Sequence, residues 1–337
     1  MNAKTRRTRK LYLLLAGLII IIGAAALITN ILSSESRTAA SEPALPDAAP
    51  VQTEAAAGEA LKVASVSLDT ADAVLELVAP EQVVTVPKSI ANPYLASNHE
   101  KGRQVAGQVG GAAGLDPEGI LSFNPDIVLI TKLHNSESDA EQLLRQAGVK
   151  VVTFEQWGTF DELIANFHTI GEAVGAPEKA NIIGNEIKEK LNEVYKRTAT
   201  LTTKPTVLVL SPVGPNTGPY VIGPGNIADE MIRLAGAEPA ANTLGIKKST
   251  KASIEDLINL DPEYIVLGDW DGTGEEWLSD LKSQPSWNAL RAVKNGRITT
   301  MKAKHLLAPN RYTVDGLMEM SAWLHPDLWE GGEKSDE

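Results

Sequence analysis

The sequence predicts an α/β protein: two doubly wound parallel-sheet lobes joined by a single long α-helix, preceded by an N-terminal transmembrane helix. Three observations carry that prediction. Short apolar runs alternate with helical stretches from Leu61 onward, a pattern in the first half recurs in the second, and one long helical pattern separates them.

The apolar runs are Val63 to Val66, Val83 to Val86, Ile127 to Ile130 and Val149 to Phe154, with helices expected over Ser138 to Gln146 and Phe160 to Val174. Continuous apolar strands separated by helices indicate a sheet buried on both faces, which is the parallel case. Pro177 to about Arg197 then gives the longest helical pattern, with Ile183, Ile187, Leu191 and Val194 on one stripe. Glu186–Lys190 and Glu193–Arg197 are spaced four apart with the acid first, a pairing that favours helix. A second alternation starts at Thr206 to Leu210.

The repeat aligns Glu118-Gly-Ile-Leu-Ser-Phe-Asn-Pro125-Asp-Ile-Val-Leu-Ile130 with Glu255-Asp-Leu-Ile-Asn-Leu-Asp-Pro262-Glu-Tyr-Ile-Val-Leu267. Both read as a short helix, a turn around Pro and a buried strand, with Pro ending the helix and biasing the residue before it toward extended geometry. A further strand is expected after each, at Lys150 to Phe154 and Arg297 to Thr300.

At the N-terminus, Lys4, Arg6, Arg7, Arg9 and Lys10 precede an uncharged run from Leu11 to Leu32. About twenty apolar residues span a bilayer, and basic residues ahead of them stay inside. Residues 1–34 are therefore read as an uncleaved anchor, with cleavage and secretion as the alternative. Residues 35–59, rich in Ala, Pro, Glu, Ser and Thr, form a flexible tether. The remaining divisions are 60–176 as the N-terminal lobe, 177–201 as the inter-lobe helix, 202–328 as the C-terminal lobe and 329–337 as an acidic tail.

Composition excludes several classes. The chain has 337 residues, a formal net charge of −12 and no cysteine. The acidic balance argues against nucleic acid, and the missing cysteine removes disulfides, thiolate metal sites and a lipid-bearing N-terminal cysteine. There is no phosphate loop, no Gly-x-Ser-x-Gly elbow and no His-Glu-x-x-His, and the five histidines are scattered, so no enzyme chemistry is predicted. A binding protein for a free metal ion would need convergent His and carboxylate ligands, often with a His-rich acidic loop, and no such loop is present.

The chain resembles the ABC-importer solute-binding proteins for ferric siderophores, haem and cobalamin. The likeness runs from about Leu61 to Pro326. It rests on Val105 to Gly111 leading into Leu115-Asp-Pro-Glu118, Asn124-Pro-Asp126-Ile-Val-Leu, and Ala147-Gly-Val-Lys-Val-Val in the first half. In the second it rests on Gly223-Pro-Gly-Asn-Ile-Ala-Asp-Glu230, Leu234-Ala-Gly236, Ser253-Ile-Glu-Asp-Leu257, and Trp287 to Arg297. The resemblance implies two lobes that change relative angle little, no resident cofactor and no catalysis. It also implies a glutamate on each lobe that pairs with arginines of a permease dimer, by motif position Glu118 and Glu230. Asp116-Pro117-Glu118 is equally a good helix start, and Glu230 lies inside a helical pattern.

Ligands of open α/β sheets bind beyond the carboxyl ends of the strands. The loops expected there carry cations and aromatic rings. Tyr94, Lys132, Trp157, Tyr220, Lys248, Trp270, His305 and Arg311 are the candidate ligand-binding residues. Such a lining suits a large anionic chelate, namely an iron–siderophore, with forked Arg donors for its oxygens and aromatic faces for its organic shell. Cobalamin stays open because Trp157 would stack on a corrin. Haem stays open through His134 and His305, although Gly110-Gly111-Ala112-Ala113 stands where haem binders of the family can carry a Tyr. The partners implied are the chelate, the permease dimer and the membrane, with the protein on the extracytoplasmic face.

Overall fold

A computed structural model describes residues 60–110, 115–132, 135–212, 219–251 and 253–330. The segments read as anchor and tether lie outside the described residues, as do 331–337 of the acidic tail. Among the described residues no helix is long and apolar enough to cross a membrane.

The first half builds one sheet from β1 (Val63–Ser65), β2 (Val83–Pro87), β3 (Gly107–Val109), β4 (Ile127–Thr131) and β5 (Lys150–Phe154), in the order β3-β2-β1-β4-β5. Every pairing in it is parallel. The order places β1 and β4 at the centre, and their side chains alternate between two apolar layers. Ile127 and Leu129 enter one cluster and Val128 and Ile130 the other. That alternation is why the sequence there is apolar without interruption: both faces are covered.

The second half contributes β6 (Thr206–Pro212), β7 (Pro219–Val221), β8 (Glu238–Pro239), β9 (Thr250–Lys251), β10 (Tyr264–Asp269) and β11 (Ile298–Lys302). Its main order is β11-β10-β6-β7-β9, with β8 also on β6. Here the expectation of a parallel sheet needs correction. β10 pairs in parallel with β6 and β11, but β7 runs antiparallel to β6 and to β9. The sheet is mixed because β7 returns directly alongside β6 instead of crossing over through a helix. The strand itself was unforeseen: Tyr220 reads as a loop residue, with prolines at 212, 215 and 219 masking the short pairing segment.

Between the sheets in sequence runs the helix Pro177–Thr198, with Pro at its first position. Ile183, Ile187 and Val194 are buried on it and Leu191 packs against the same cluster. That cluster also takes Val63, Val74 and Phe167 from the first half and Val207, Met231 and Leu317 from the second. One apolar core therefore runs through both halves. Of the two predicted pairs on the helix, Arg197 meets Glu193 at 2.9 Å. The other does not form: Glu186 binds Arg311 and Lys190 binds Asp315. Partners on other elements win because they tie the helix to the second half.

The internal repeat is written into the backbone. Asn124 (φ 50°) and Asp261 (φ 35°) are the non-glycine residues with positive φ among those described, and each stands directly before the repeat's proline. Extended geometry was expected at both. Instead each closes its preceding helix: Asn124 N–H donates to Leu121 O at 2.9 Å and Asp261 N–H to Leu257 O at 3.1 Å. Asn and Asp tolerate this left-handed turn better than other side chains.

A candidate ligand groove between the two halves

Strand order decides what faces what. In the first sheet β2 and β5 flank β1 and β4. In the second, β10–β11 and β7 flank β6. The loop after β2 meets the segments after β10 and β11. Asn92 Nδ2 donates to Trp270 O at 2.9 Å, Lys304 N–H to Tyr94 O at 2.8 Å, and Ser97 Oγ to Asn310 Oδ1 at 3.1 Å. On the other flank the loop after β5 meets the segment after β7. Phe160 N–H donates to Glu230 Oε2 at 2.6 Å. A Cβ on Gly158 would stand 2.6 Å from Gly225 O, so glycine is required for the backbones to approach. These two contacts bracket the carboxyl ends of β1, β4 and β6, which is where a ligand of this architecture belongs.

The bracketed ends are rich in hydroxyl groups. Ser65 Oγ donates to Thr70 Oγ1 at 2.8 Å, and Thr131 N–H to Ser67 Oγ at 2.9 Å. Thr131 Oγ donates in turn to Asp69 Oδ1 at 2.9 Å and accepts from Trp157 Nε1 at 3.1 Å. Burial pushes the Asp69 carboxyl up to about 6, against the lowering effect of its hydrogen bonds from Thr131 and Thr70. The second half repeats the device, with Trp270 Nε1 donating to Ser211 Oγ at 2.7 Å. Each half thus holds a tryptophan by a hydroxyl at the end of a central strand.

The candidate residues separate into groups. Tyr94 is half-buried on the first flank, with Lys302 Nζ 5.7 Å from its ring centroid, and Trp270 lies beside it through Asn92. These two stand at the groove. Trp157 sits just above its floor but is only 6% exposed, and its ring packs on Phe154 with centroids 5.6 Å apart. Its indole belongs to the core. Lys132 is committed to Glu141 at 3.3 Å and Glu155 at 3.8 Å. Arg311 is committed to Glu76 at 3.4 Å and to Glu186, tying the first half and the long helix to the second half.

Tyr220 lies on β7 opposite Ser211 and Lys251, and Lys248 is exposed with its carbonyl packed over Gly223. His305 lies on the short helix Ala303–Leu306, half-buried, its pKa lowered by burial and by Lys304. His134 lies outside the described residues, as do 111–114 and 213–218 of the loops expected to line the groove.

Of the two docking candidates, Glu118 is exposed on the short helix Pro117–Leu121, where Asp116 caps its N–H at 3.1 Å. Glu230 is half-buried on the second flank. Its carboxyl is raised first by burial and then by Asp161 and Glu162. Sequence reasoning placed Ser67 to Thr70 and Glu155 to Gly158 among the groove loops without singling out Asp69 or Gly158. The signal for Asp69 was available: an acid in the first turn after a buried strand, with Ser67 two residues before it and Thr70 directly after.

Lys302 and Lys304 differ from Lys132 and Arg311 and resemble Lys248. Neither forms an ion pair among the described residues. The Lys304 ammonium is pushed down by burial and by Lys302. Asp72 acts on Lys304 and Glu319 on Lys302 without closing an ion pair, so two ammonium groups outside any direct pair lie beside Tyr94 at the groove edge.

The sequence profile described as periplasmic binding protein matches residues 63–305. A curated relative from Bacillus subtilis (strain 168), named as an uncharacterised ABC transporter substrate-binding lipoprotein YvrC, is 26% identical over 222 residues, 65% of this chain and 68% of the relative. Among solved structures, the periplasmic heme-binding protein RhuT from Roseiflexus sp. RS-1 superposes with a TM-score of 0.69 at 22% identity, over 80% of this chain and all of that one. The molybdate-binding protein MolA of Haemophilus influenzae gives the same TM-score, 0.69, at 17% identity, over 82% of this chain and 90% of its own.

Proposed function

This chain belongs to the periplasmic binding protein family, substrate-binding proteins of ABC importers that are not enzymes, and from that premise we infer that its groove captures an anionic metal chelate of the ferric-siderophore type. The observation that carries the reading is the pair Lys302 and Lys304, neither in a direct ion pair, beside Tyr94 and Trp270. Two ammonium groups held in no direct ion pair, with Asp72 and Glu319 acting on them only from farther off, attract an anion, and the adjoining rings cover an organic shell. In this reading residues 60–176 and 202–328 are the lobes, 177–201 the rod between them, and 1–34 the anchor that keeps the protein at the extracytoplasmic face. Residues 35–59 let it reach the permease, which Glu118 and Glu230 engage, and 329–337 form an acidic tail.

The relatives include a heme-binding and a molybdate-binding protein, so the fold accommodates chemically different cargo. The test is to purify the full chain in detergent from iron-limited cells and record its visible spectrum. Broad charge-transfer absorption supports a ferric siderophore. A Soret band or a corrinoid spectrum would replace the siderophore with haem or cobalamin. Titration with a ferric hydroxamate should quench tryptophan fluorescence stoichiometrically, and Lys302→Glu together with Lys304→Glu should abolish the quench. An unchanged quench would overturn the role given to these lysines.

A further inference from the structure

Tyr94 and Trp270 come from different halves and meet at one side chain, Asn92. Asn92 ends the turn Lys88–Ala91, its N–H donating to Ser89 O at 3.1 Å. Pro93 follows it and holds it extended, at φ −84° and ψ 117°. From that fixed backbone the amide reaches two ways. Its Oδ1 accepts the Tyr94 N–H at 2.8 Å, an Asx turn across Pro93, and its Nδ2 donates to Trp270 O at 2.9 Å in the other half. An N–H can only donate and a carbonyl can only accept, so these partners decide which end of the amide is which.

The residues it joins are themselves held. Tyr94 O accepts the Lys304 N–H at 2.8 Å, and the Tyr94 ring abuts Gly272, where a Cβ would stand 2.6 Å from the phenolic oxygen. Trp270 Nε1 donates to the buried Ser211 Oγ at 2.7 Å. The far end of the loop carrying Asn92 is pinned as well, since Asp72 accepts the Ser97 N–H at 2.9 Å and the Asn98 N–H at 2.7 Å.

We propose that Asn92 is a positioning residue for the cargo: its amide sets the spacing of Tyr94 and Trp270 across the two halves, and through it the bulk of organic shell that the groove admits. The proposal rests on the groove reading above and adds the residue that gauges it. A planar amide engaged at both ends has little slack, and a hydrogen bond weakens steeply once stretched or bent. Moving one ring residue relative to the other therefore breaks a bond. Cargo that fits this preset gap binds without ordering it first, and cargo that does not fit has to break the tie. Asn92 acts through the rings and touches no cargo itself.

The experiment uses the full chain in detergent, labelled with 5-fluorotryptophan. The chain has six tryptophans, and Trp270→Phe identifies the signal of Trp270. Asn92→Ser keeps an oxygen able to accept the Tyr94 N–H but is too short to reach Trp270 O. With no ligand added, it should move the Trp270 fluorine signal and leave the others in place. Binding is then read by equilibrium dialysis with two ferric hexadentate catecholamides of equal charge, one bare and one bearing bulky substituents on its linkers. Wild type should discriminate between them, and Asn92→Ser should lose about tenfold of that ratio, the scale of one hydrogen bond. A role in stability alone would weaken both chelates by one factor and leave the ratio as it was. Asn92→Asp, which sets an oxygen against the Trp270 carbonyl, is the second variant should Asn92→Ser unfold, as judged by its circular-dichroism melt. It should give the same two results. An unmoved Trp270 signal, equal binding of both chelates by wild type, or a ratio unchanged in the variant overturns the proposal. Wild type that binds neither chelate overturns the groove reading beneath it. The fluorine signal then decides alone: moved, it keeps Asn92 as the residue that places Trp270, and unmoved, it removes it.

Discussion

Thr131 Oγ stands 2.9 Å from Asp69 Oδ1, joining the end of a central strand to the first turn of the helix Leu68–Leu77 at the floor of the groove. The carboxyl there is raised to about 6 from an ordinary value of 3.8. An acid whose folded pKa is raised binds its proton more tightly when folded. Its contribution is fully present below the unfolded value and is lost as pH rises through about 6. Stability should therefore fall between about pH 4 and pH 7 by an amount of order 1–3 kcal/mol from this group. Asp69→Asn should flatten that part of the profile, read as urea midpoints across the pH range. A profile identical to wild type would refute the assignment.

Arg311 is predicted to act as a tie and not as a ligand contact. Arg311→Ala strands Glu76, which is 10% exposed at its side chain, and releases Glu186 on the long helix. The loss should be about 1–3 kcal/mol in equilibrium unfolding, with ligand affinity changed little beyond what the lost stability explains. A large affinity loss at unchanged stability would return Arg311 to the groove.

The left-handed pair separates backbone from side-chain effects. Asn124 is exposed and its side chain makes no hydrogen bond, so Asn124→Gly should raise stability by up to about 1 kcal/mol. Asp261 also accepts Arg291 N–H at 2.9 Å, so Asp261→Gly should lower stability by about 1 kcal/mol despite the same relief. Thermal melts of the two variants should move in opposite directions.

Gly316 abuts the carbonyl of His305, where any Cβ would overlap the oxygen. Gly316→Ala should cost about 1–3 kcal/mol by forcing the helix Thr313–Leu324 away from the short helix Ala303–Leu306. Lys302 and Lys304 flank that junction, so binding of an anionic chelate should weaken with it. A melt within error of wild type would show that the helices shift freely.

Reversing the charge of Glu118 and Glu230 together should abolish uptake by whole cells while leaving ligand-induced fluorescence quenching intact. Retained uptake would remove both residues from docking.

Much of the α/β alternation was legible because burial on two faces forces continuous apolar runs, as at Ile127–Thr131 and Thr206–Pro212. The helix Phe160–Val174 was legible to the residue, since Thr159 and Glu162 write a capping box and Gly175 (φ 75°) ends it. β7 and β9 were not: three-residue and two-residue strands carry too few side chains to show a period. Site residues were harder. A lysine near a strand end reads alike whether a carboxylate pairs with it directly, as Glu141 does with Lys132, or none comes within ion-pair distance, as at Lys302. Composition finds cations but not their counter-charges, because those come from other elements. The burial of Trp157 was hidden for the same reason.

The apolar cluster that passes from Val63 through Ile183 and Ile187 to Val207 has a bearing on how such a molecule can be cut or recombined. A fragment ending at Thr198 would leave Ile183, Ile187 and Val194 without the second half's share of their packing. Neither half should melt by itself, and calorimetry should give one endotherm in place of two. A lobe's pattern recurs in the sequence, yet the thermodynamic unit is the whole clasp, because the two copies share this one seam.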